Sequence, residues 1–464
     1  MGDSRRPLGT SRGRRGQNRT VTELDTIVVG AGMSGLTAAR SLAASGQHVV
    51  VLEARDRIGG RTWTDDDLGV PVDLGASWIH GIDGNPLTVL RDAFGIESSV
   101  FTVGSFQPEG SIAMHAPDGS RLNAFEQRRW VDDVATTDVR LEAVIAHAPA
   151  GTTYAEAVDL ALADLGWDDE RAARVREFMG HRVEDLCGAT SSALDAHGLD
   201  EEHVPGDEVV FPGGYRQFVE RIADGLDVRL GQVVTRVERS AAGVVVRTQD
   251  GAVHRAAQAV VTVPLGVLQS RSVTFEPPLP SANQGAIDRL GMGVYDKVFL
   301  RFPSVFWDED SDVIRRQGPD IAWHSFYNLT RATGEPVLVA LVGGPSARAL
   351  EDRADEDIVA AALDALRELY GDAVGEPVAT RTTRWAHDPF ALGSYSFLAT
   401  GAATSDPDLV AEPIDGVLHL AGEATFADEP ATVHGALLSG HRAAERILGR
   451  PMDLAVLATP LPVP

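Results

Sequence analysis

The 464-residue chain reads as an α/β protein, a Rossmann-like parallel-sheet domain interleaved with a second, α+β domain. Three observations predict this. Residues 25–53 carry a strand, a glycine-rich turn, a helix and a second strand. Further apolar strands recur in the middle of the chain and near its end. Helical stretches separate these groups, so the strands of one sheet are distributed along the sequence.

Asp25–Val29 is a short apolar run, Gly35–Ala44 has helical spacing, and His48–Glu53 is a second apolar run. Thr153–Leu165, Glu170–Phe178 and Glu356–Tyr370 also have helical spacing. Val228–Leu230, Val233–Glu238, Gly243–Thr248, Ala259–Val263 and Val337–Val342 read as strands. Gly416–Leu420 is a last strand and His434–Leu448 the helix after it. There is no internal repeat. The expected division puts residues 23–95, 206–290 and 406–450 in the Rossmann-like domain. Residues 96–205 and 291–405 fall in the second domain, with tails at 1–22 and 451–464.

The net charge of −26 opposes binding to nucleic acid or anionic lipid and attracts cations. Solubility alone accounts for much of such a charge. Cys187 is the single cysteine, which excludes an intrachain disulfide and a cysteine-built metal centre. A reducing, cytoplasmic location is the expectation. Charge or glycine breaks every apolar run before ~18 residues, so no membrane span is expected. Arg5-Arg6 lacks the apolar segment of an export signal, and residues 1–22 are expected to be a disordered basic tail.

Gly30-Ala31-Gly32-Met33-Ser34-Gly35 is a G-x-G-x-x-G turn between a strand and a helix, the context in which the motif carries meaning. Gly30 permits the tight turn, Gly32 leaves room for a pyrophosphate, and Gly35 lets the helix approach the strand. Phosphates would sit on the amide groups at the helix start, beside Ser34. Glu53 ends the second strand, where a carboxylate binds ribose hydroxyls and favours FAD or NAD over NADP. Glu53-Ala54-Arg55 then leads to Gly59-Gly60-Arg61. These arginines can neutralise phosphates, and the glycines permit close backbone approach.

This segment resembles the flavin-containing amine oxidase family, and so do further segments in the same order. They are Gly75-Ala76-Ser77-Trp78-Ile79-His80, Phe211-Pro212-Gly213-Gly214-Tyr215, and Thr262-Val263-Pro264-Leu265-Gly266. Arg384-Trp385, Gly393-Ser394-Tyr395, Ala421-Gly422-Glu423 and Pro430-Ala431-Thr432-Val433 complete the set. Polyamine and spermine oxidases are the most similar members. The resemblance implies an FAD cradle of Gly30, Gly32, Ser34, Gly35, Glu53, Ala54, Arg55, Gly60, Arg61, Gly75, Ala76, Ser77 and Trp78. Val234, Pro264, Trp385, Gly422, Glu423, Thr432 and Val433 would close it. Lys297 matches a lysine that reaches a water on flavin N5. Tyr395 matches the aromatic wall before the flavin, Thr432 the position facing it, and His80 a histidine near substrate amines. Ser394 stands where monoamine oxidases carry the cysteine bonded to flavin, which implies non-covalent FAD. Glu184, Asp185, Glu201, Glu202, Asp207 and Glu208 are acidic groups in the substrate region, either ammonium ligands or solvated charges.

The family's chemistry is hydride transfer from the carbon beside a neutral amine to flavin N5, with oxygen as the final acceptor. A small cationic amine, by preference a polyamine, is the expected substrate; no resident metal is expected. A monoamine oxidase of the same fold and a dehydrogenase using an acceptor other than oxygen stay open, as do three further readings. An L-amino-acid oxidase needs an arginine for the substrate carboxylate. A histone demethylase needs a helical-hairpin insert for which this chain has no room. A non-catalytic FAD scaffold has no use for Lys297, Tyr395 and Trp385 together.

Overall fold

The computed structural model describes residues 24–102, 111–199, 205–308, 310–318 and 322–461. The expected basic tail, Glu201 and Glu202 lie outside the described residues. Leu24–Val29 is at the centre of the larger sheet. It pairs in parallel with Val49–Leu52 on one side and Val253–Val261 on the other, with Val28 opposite Val51 and Val260. Val228–Arg229 extends the parallel layer beyond Val49–Leu52, and Leu418–Leu420 joins the last residues of Val253–Val261. Thr26, Ile27 and Val28 are fully buried, because a parallel sheet covered on both faces uses continuous apolar strands. Gly243–Thr248, Val234–Ser240 and Thr274–Glu276 complete the sheet. One sheet thus collects strands from the beginning, middle and end of the chain.

Helices Met33–Ala44 and Val433–Leu448 cross on this sheet. A Cβ on Gly440 would lie 2.0 Å from the Ser34 carbonyl oxygen, so the crossing requires glycine. The Ser34 and Ser439 hydroxyls hydrogen-bond there at 3.0 Å. The second sheet runs Ala379–Thr382, Tyr295–Arg301, Val337–Gly343, Ser325–Asn328, Val313–Arg316, Ile112–His115. Helices Ala124–Ile145, Tyr154–Leu165 and Asp169–Cys187 bury Trp130, Tyr154 and Phe178 among themselves.

Three elements differ from the sequence expectation. Ala124–Ile145, 22 residues long, was not foreseen, because Asp133 and Thr137 interrupt its buried stripe. Asp133 is buried to receive Arg171 and Arg174. The helix expected over Glu170–Phe178 continues to Cys187, its later turns burying Met179, Val183 and Cys187 together with His181, which pairs with Glu177. The strand expected at Ala259–Val263 instead spans Val253–Val261, its first half alternating with polar residues.

Candidate active site

The glycine turn has the geometry its spacing implies. Gly30 has φ 102°, and a Cβ there would lie 2.6 Å from Thr262 Oγ1. A Cβ on Gly35 would lie 2.0 Å from the Gly30 oxygen. Above Gly32 the space is open: its Cβ would meet only the Gly59 oxygen, at 3.9 Å. No side chain caps the helix start. Glu53, 4% exposed, accepts from the Ala31 amide at 2.7 Å and the Arg55 amide at 2.9 Å. Its carboxylate is therefore fixed while lone pairs remain for hydroxyls. Gly60 rests against Gly32, 3.4 Å from its Cα to a built Cβ.

Arg55 is already neutralised, by Asp388 at 2.6 Å, and lies over the Phe390 ring. Arg57 was not among the expected contacts. It stacks 4.2 Å over Trp63 and donates to the Ile58 and Gly60 carbonyls. Burial, and then repulsion from Arg55, lowers its pKa to about 10. The repeated arginines of 55–61 were the signal for it. Arg61 bonds Glu423 at 2.7 Å and the Ser394 carbonyl at 3.0 Å, and Glu423 accepts from the Ser396 hydroxyl at 2.6 Å. Gly422 has φ 143° and donates to Ser439 at 2.9 Å. Pro264 precedes helix Leu265–Ser270, and Val234 opens its strand nearly buried. The uncapped helix start, the space over Gly32 and the braced carboxylate fit the diphosphate and ribose of a dinucleotide.

Lys297 lies in strand Tyr295–Arg301 and is 6% exposed. Its ammonium donates to the Asp73 oxygen at 2.8 Å, the Gly75 oxygen at 2.7 Å and the Ser77 hydroxyl at 2.5 Å. All three hydrogens thus fasten the stretch that runs through Ala76 to Trp78. Burial lowers its pKa to about 8, opposed by Asp73. Trp385 grips the same stretch, its Nε1 donating to the Leu74 oxygen at 3.2 Å. The Trp78 ring lies 5.6 Å from the Lys297 nitrogen, and its Nε1 is buried with no partner among the described residues.

A carboxyl pair supports Trp385 from behind. Asp296 accepts from Thr383 Oγ1 at 2.7 Å and the Trp385 amide at 3.1 Å, and Glu351 accepts from the Ala386 amide at 2.6 Å. Burial, and then the hydrogen bond with Glu351, pushes Asp296 up to about 8. The folded state therefore holds a proton that the unfolded chain releases near pH 4. That stability is fully present below about pH 4 and is lost as pH rises through about 8. Glu351→Gln is expected to flatten this part of the stability curve, since its amide donates to Asp296 without a shared proton. Equal slopes of Tm against pH for wild type and variant would refute it.

Tyr395 donates to the Asp185 main-chain oxygen at 2.9 Å, and its ring lies 6.0 Å from that of Tyr295. The Ser394 hydroxyl is tied to the Tyr295 backbone, accepting at 2.7 Å and donating at 3.0 Å. Cys187 is nearer this wall than its sequence position suggests: its carbonyl packs on Gly293, which donates to Tyr395. Burial pushes its thiol up to about 12, which keeps it unreactive. His80 is exposed, stacks on Trp78 and bonds buried Glu208 through Nδ1. Thr432 stands at a helix start. Its hydroxyl donates to the Glu429 oxygen and accepts from the Gly435 amide, each at 2.9 Å, so it caps the helix that Val433 begins. Of the acidic groups, Glu208 is buried, Glu184 and Asp185 are partly buried, and Asp207 is exposed. Tyr295, Tyr327, His324 and Arg315 were not foreseen as site residues. Tyr295 had a signal, since it shares a strand face with Lys297 two residues on; Tyr327 and His324 had none.

A dinucleotide cradle beside a buried lysine and an aromatic, acid-lined chamber defines an oxidoreductase that works through a bound nucleotide cofactor. The family described as flavin containing amine oxidoreductase matches residues 33–448. Polyamine oxidase 4 of Oryza sativa subsp. japonica is 34% identical, over 90% of this chain and 87% of its own. Polyamine oxidase 2 of Arabidopsis thaliana is 34% identical, over 93% and 89%. Lysine-specific histone demethylase 1 homolog 3 of Arabidopsis thaliana is 31% identical over 92% of this chain, which spans 30% of that protein. Wild-type putrescine oxidase bound to putrescine has a similar fold, with TM-score 0.76 at 24% identity over 92% of this chain and 99% of that one. The chain belongs to the flavin-containing amine oxidoreductase family. It is an FAD-dependent amine oxidase, with FAD held non-covalently and oxygen as acceptor.

Proposed function

We propose that the amine is a polyamine, oxidised in a reducing cytoplasmic compartment. One observation carries the substrate reading: two carboxylates, Asp185 and Glu208, lie near enough to the buried Tyr327 hydroxyl to raise its pKa, and Asp185 also meets the Tyr295 hydroxyl at 3.4 Å. Such a lining takes a cationic chain in preference to a neutral or acidic one. Arg315 does not suit an amino-acid carboxylate. It is fully buried, bonds His324 and His181, and faces Glu177 at 3.6 Å. The relatives named polyamine oxidases, matched over nearly their whole length, support the same reading. The acidic surface and the single cysteine support a cytoplasmic protein that binds neither nucleic acid nor membrane. Among the described residues, no helix is long and apolar enough to cross a membrane.

FAD, when bound, supplies the hydride acceptor. The chain supplies position and electrostatics. Trp78, Tyr327, Tyr295 and Tyr395 form a wall with ring centroids 5.8 Å apart for Trp78–Tyr327 and 6.0 Å for Tyr295–Tyr395. That wall excludes water and orients the amine. His80, held on Glu208, can receive a proton at the chamber's exposed side. Anaerobic mixing with spermine, spermidine, acetylated polyamines, aryl monoamines and L-amino acids tests the reading. Bleaching of the flavin band is expected to be fastest with a polyamine. Bleaching by monoamines or amino acids alone would overturn the polyamine assignment.

A further inference from the structure

We propose that Asp296 and Glu351 act as one positioning unit for FAD: the proton they share holds the 383–390 segment against the cofactor cradle, so cofactor retention depends on that proton. Which amine is oxidised has no bearing on this role. Residues 383–390 form neither helix nor strand, so side-chain contacts fix their place. Toward the cradle, the Asp388 carboxylate accepts from Arg55 at 2.6 Å and from the Phe390 amide at 2.8 Å. The Phe390 ring lies 5.5 Å from the Arg55 guanidinium. Trp385 donates to the Leu74 oxygen at 3.2 Å and meets the Trp63 ring edge-on at 6.2 Å. Toward the second domain, the Trp385 and Ala386 amides donate to Asp296 Oδ1 at 3.1 Å and to Glu351 Oε1 at 2.6 Å.

Each acid is 4% exposed. Their other oxygens, Asp296 Oδ2 and Glu351 Oε2, are buried with no donor among the described residues. Two neighbouring carboxyl groups satisfy such oxygens by sharing a proton. None of the described lysines or arginines forms an ion pair with either acid. Lys297, the next residue on the strand, sends its ammonium to the opposite face, to Asp73, Gly75 and Ser77. Arg384 donates to the Glu351 main-chain oxygen and pairs with Asp355. His387 Nδ1 is 3.7 Å from Glu351, but its ring is half-exposed and also faces Asp352 at 3.4 Å. Burial, and then the hydrogen bond with Glu351, pushes Asp296 up to about 8. Above that pH the shared proton leaves, and two like charges meet in a desolvated site without a cation. Their repulsion parts the two acids, and the Trp385–Ala386 turn that bridges them loses its hold on the cradle.

The test titrates FAD into apoprotein of the full chain, read by flavin fluorescence, at pH values on both sides of about 8. Wild-type affinity is expected to fall by up to about tenfold per pH unit above that point, the limit for one linked proton. Glu351→Gln and Asp296→Asn are expected to hold FAD with little change across the same range. In each, an amide donates to the remaining carboxylate and has no proton to lose. Either variant alone decides the matter if the other does not fold, and the apoprotein Tm at each pH reports the fold. A wild-type affinity independent of pH would overturn the proposal. So would a pH slope that persists in a folded variant, which would assign the titration to Lys297, whose burial lowers its own pKa to about 8.

Discussion

Lys297→Met is expected to keep flavin but to lose about 100-fold or more in oxygen-dependent turnover. The side chain is a buried cation whose three hydrogens hold Asp73, Gly75 and Ser77. Two effects follow from its removal. The positive charge that stabilises negative charge developing in the adjoining chamber is gone, and loss of one such preorganised group costs about 10²–10³ in rate. The stretch leading to Trp78 also loses its tether, with ~1–3 kcal/mol for each buried acceptor left unmade. Rapid-mixing measurements separate the two half-reactions. The charge effect predicts slow reoxidation of pre-reduced enzyme by oxygen, with anaerobic reduction less affected. Normal reoxidation in a folded variant would show that Lys297 serves only as a tether.

Glu53→Gln is expected to weaken FAD binding about 10- to 100-fold, the cost of one charge-assisted hydrogen bond. The two carboxylate oxygens each accept a backbone amide, from Ala31 and from Arg55. An amide side chain can accept one of these but must point its own N–H at the other. The braced geometry for ribose is then lost along with the charge. The check is FAD titration of apoprotein, with Tm of the apo form as the control for folding. Wild-type affinity in the variant would mean that Glu53 braces the turn without touching the nucleotide.

Much of the cofactor side of the molecule was legible in residue order alone. Gly30, Gly32 and Gly35 lie within six residues, and their roles follow from local sterics: a left-handed turn, an open approach and a close helix–strand contact. Glu53 follows at the end of the next strand, so its placement needs only one strand–helix–strand unit. Short-range geometry of this kind is written into spacing. Resemblance extended the reading to Lys297, Trp385, Tyr395 and Thr432, and the structure adds that Thr432 caps the helix after it.

The substrate side was decided only by the tertiary structure. Asp185, Tyr295, Tyr327, His324 and Arg315 come from one helix, three strands and the residue just before one of them. No periodicity links them, and each is ordinary in its own segment. Their chemistry arises from proximity and burial. Desolvation raises the Asp185 carboxyl, keeps His324 neutral, and leaves Arg315 committed to its neighbours. Sequence determined that this chain binds a dinucleotide and, through its motifs, which kind of redox chemistry it performs. Which amine it accepts depends on charges that become unusual only when distant segments exclude water around them, and that is a property of the folded packing.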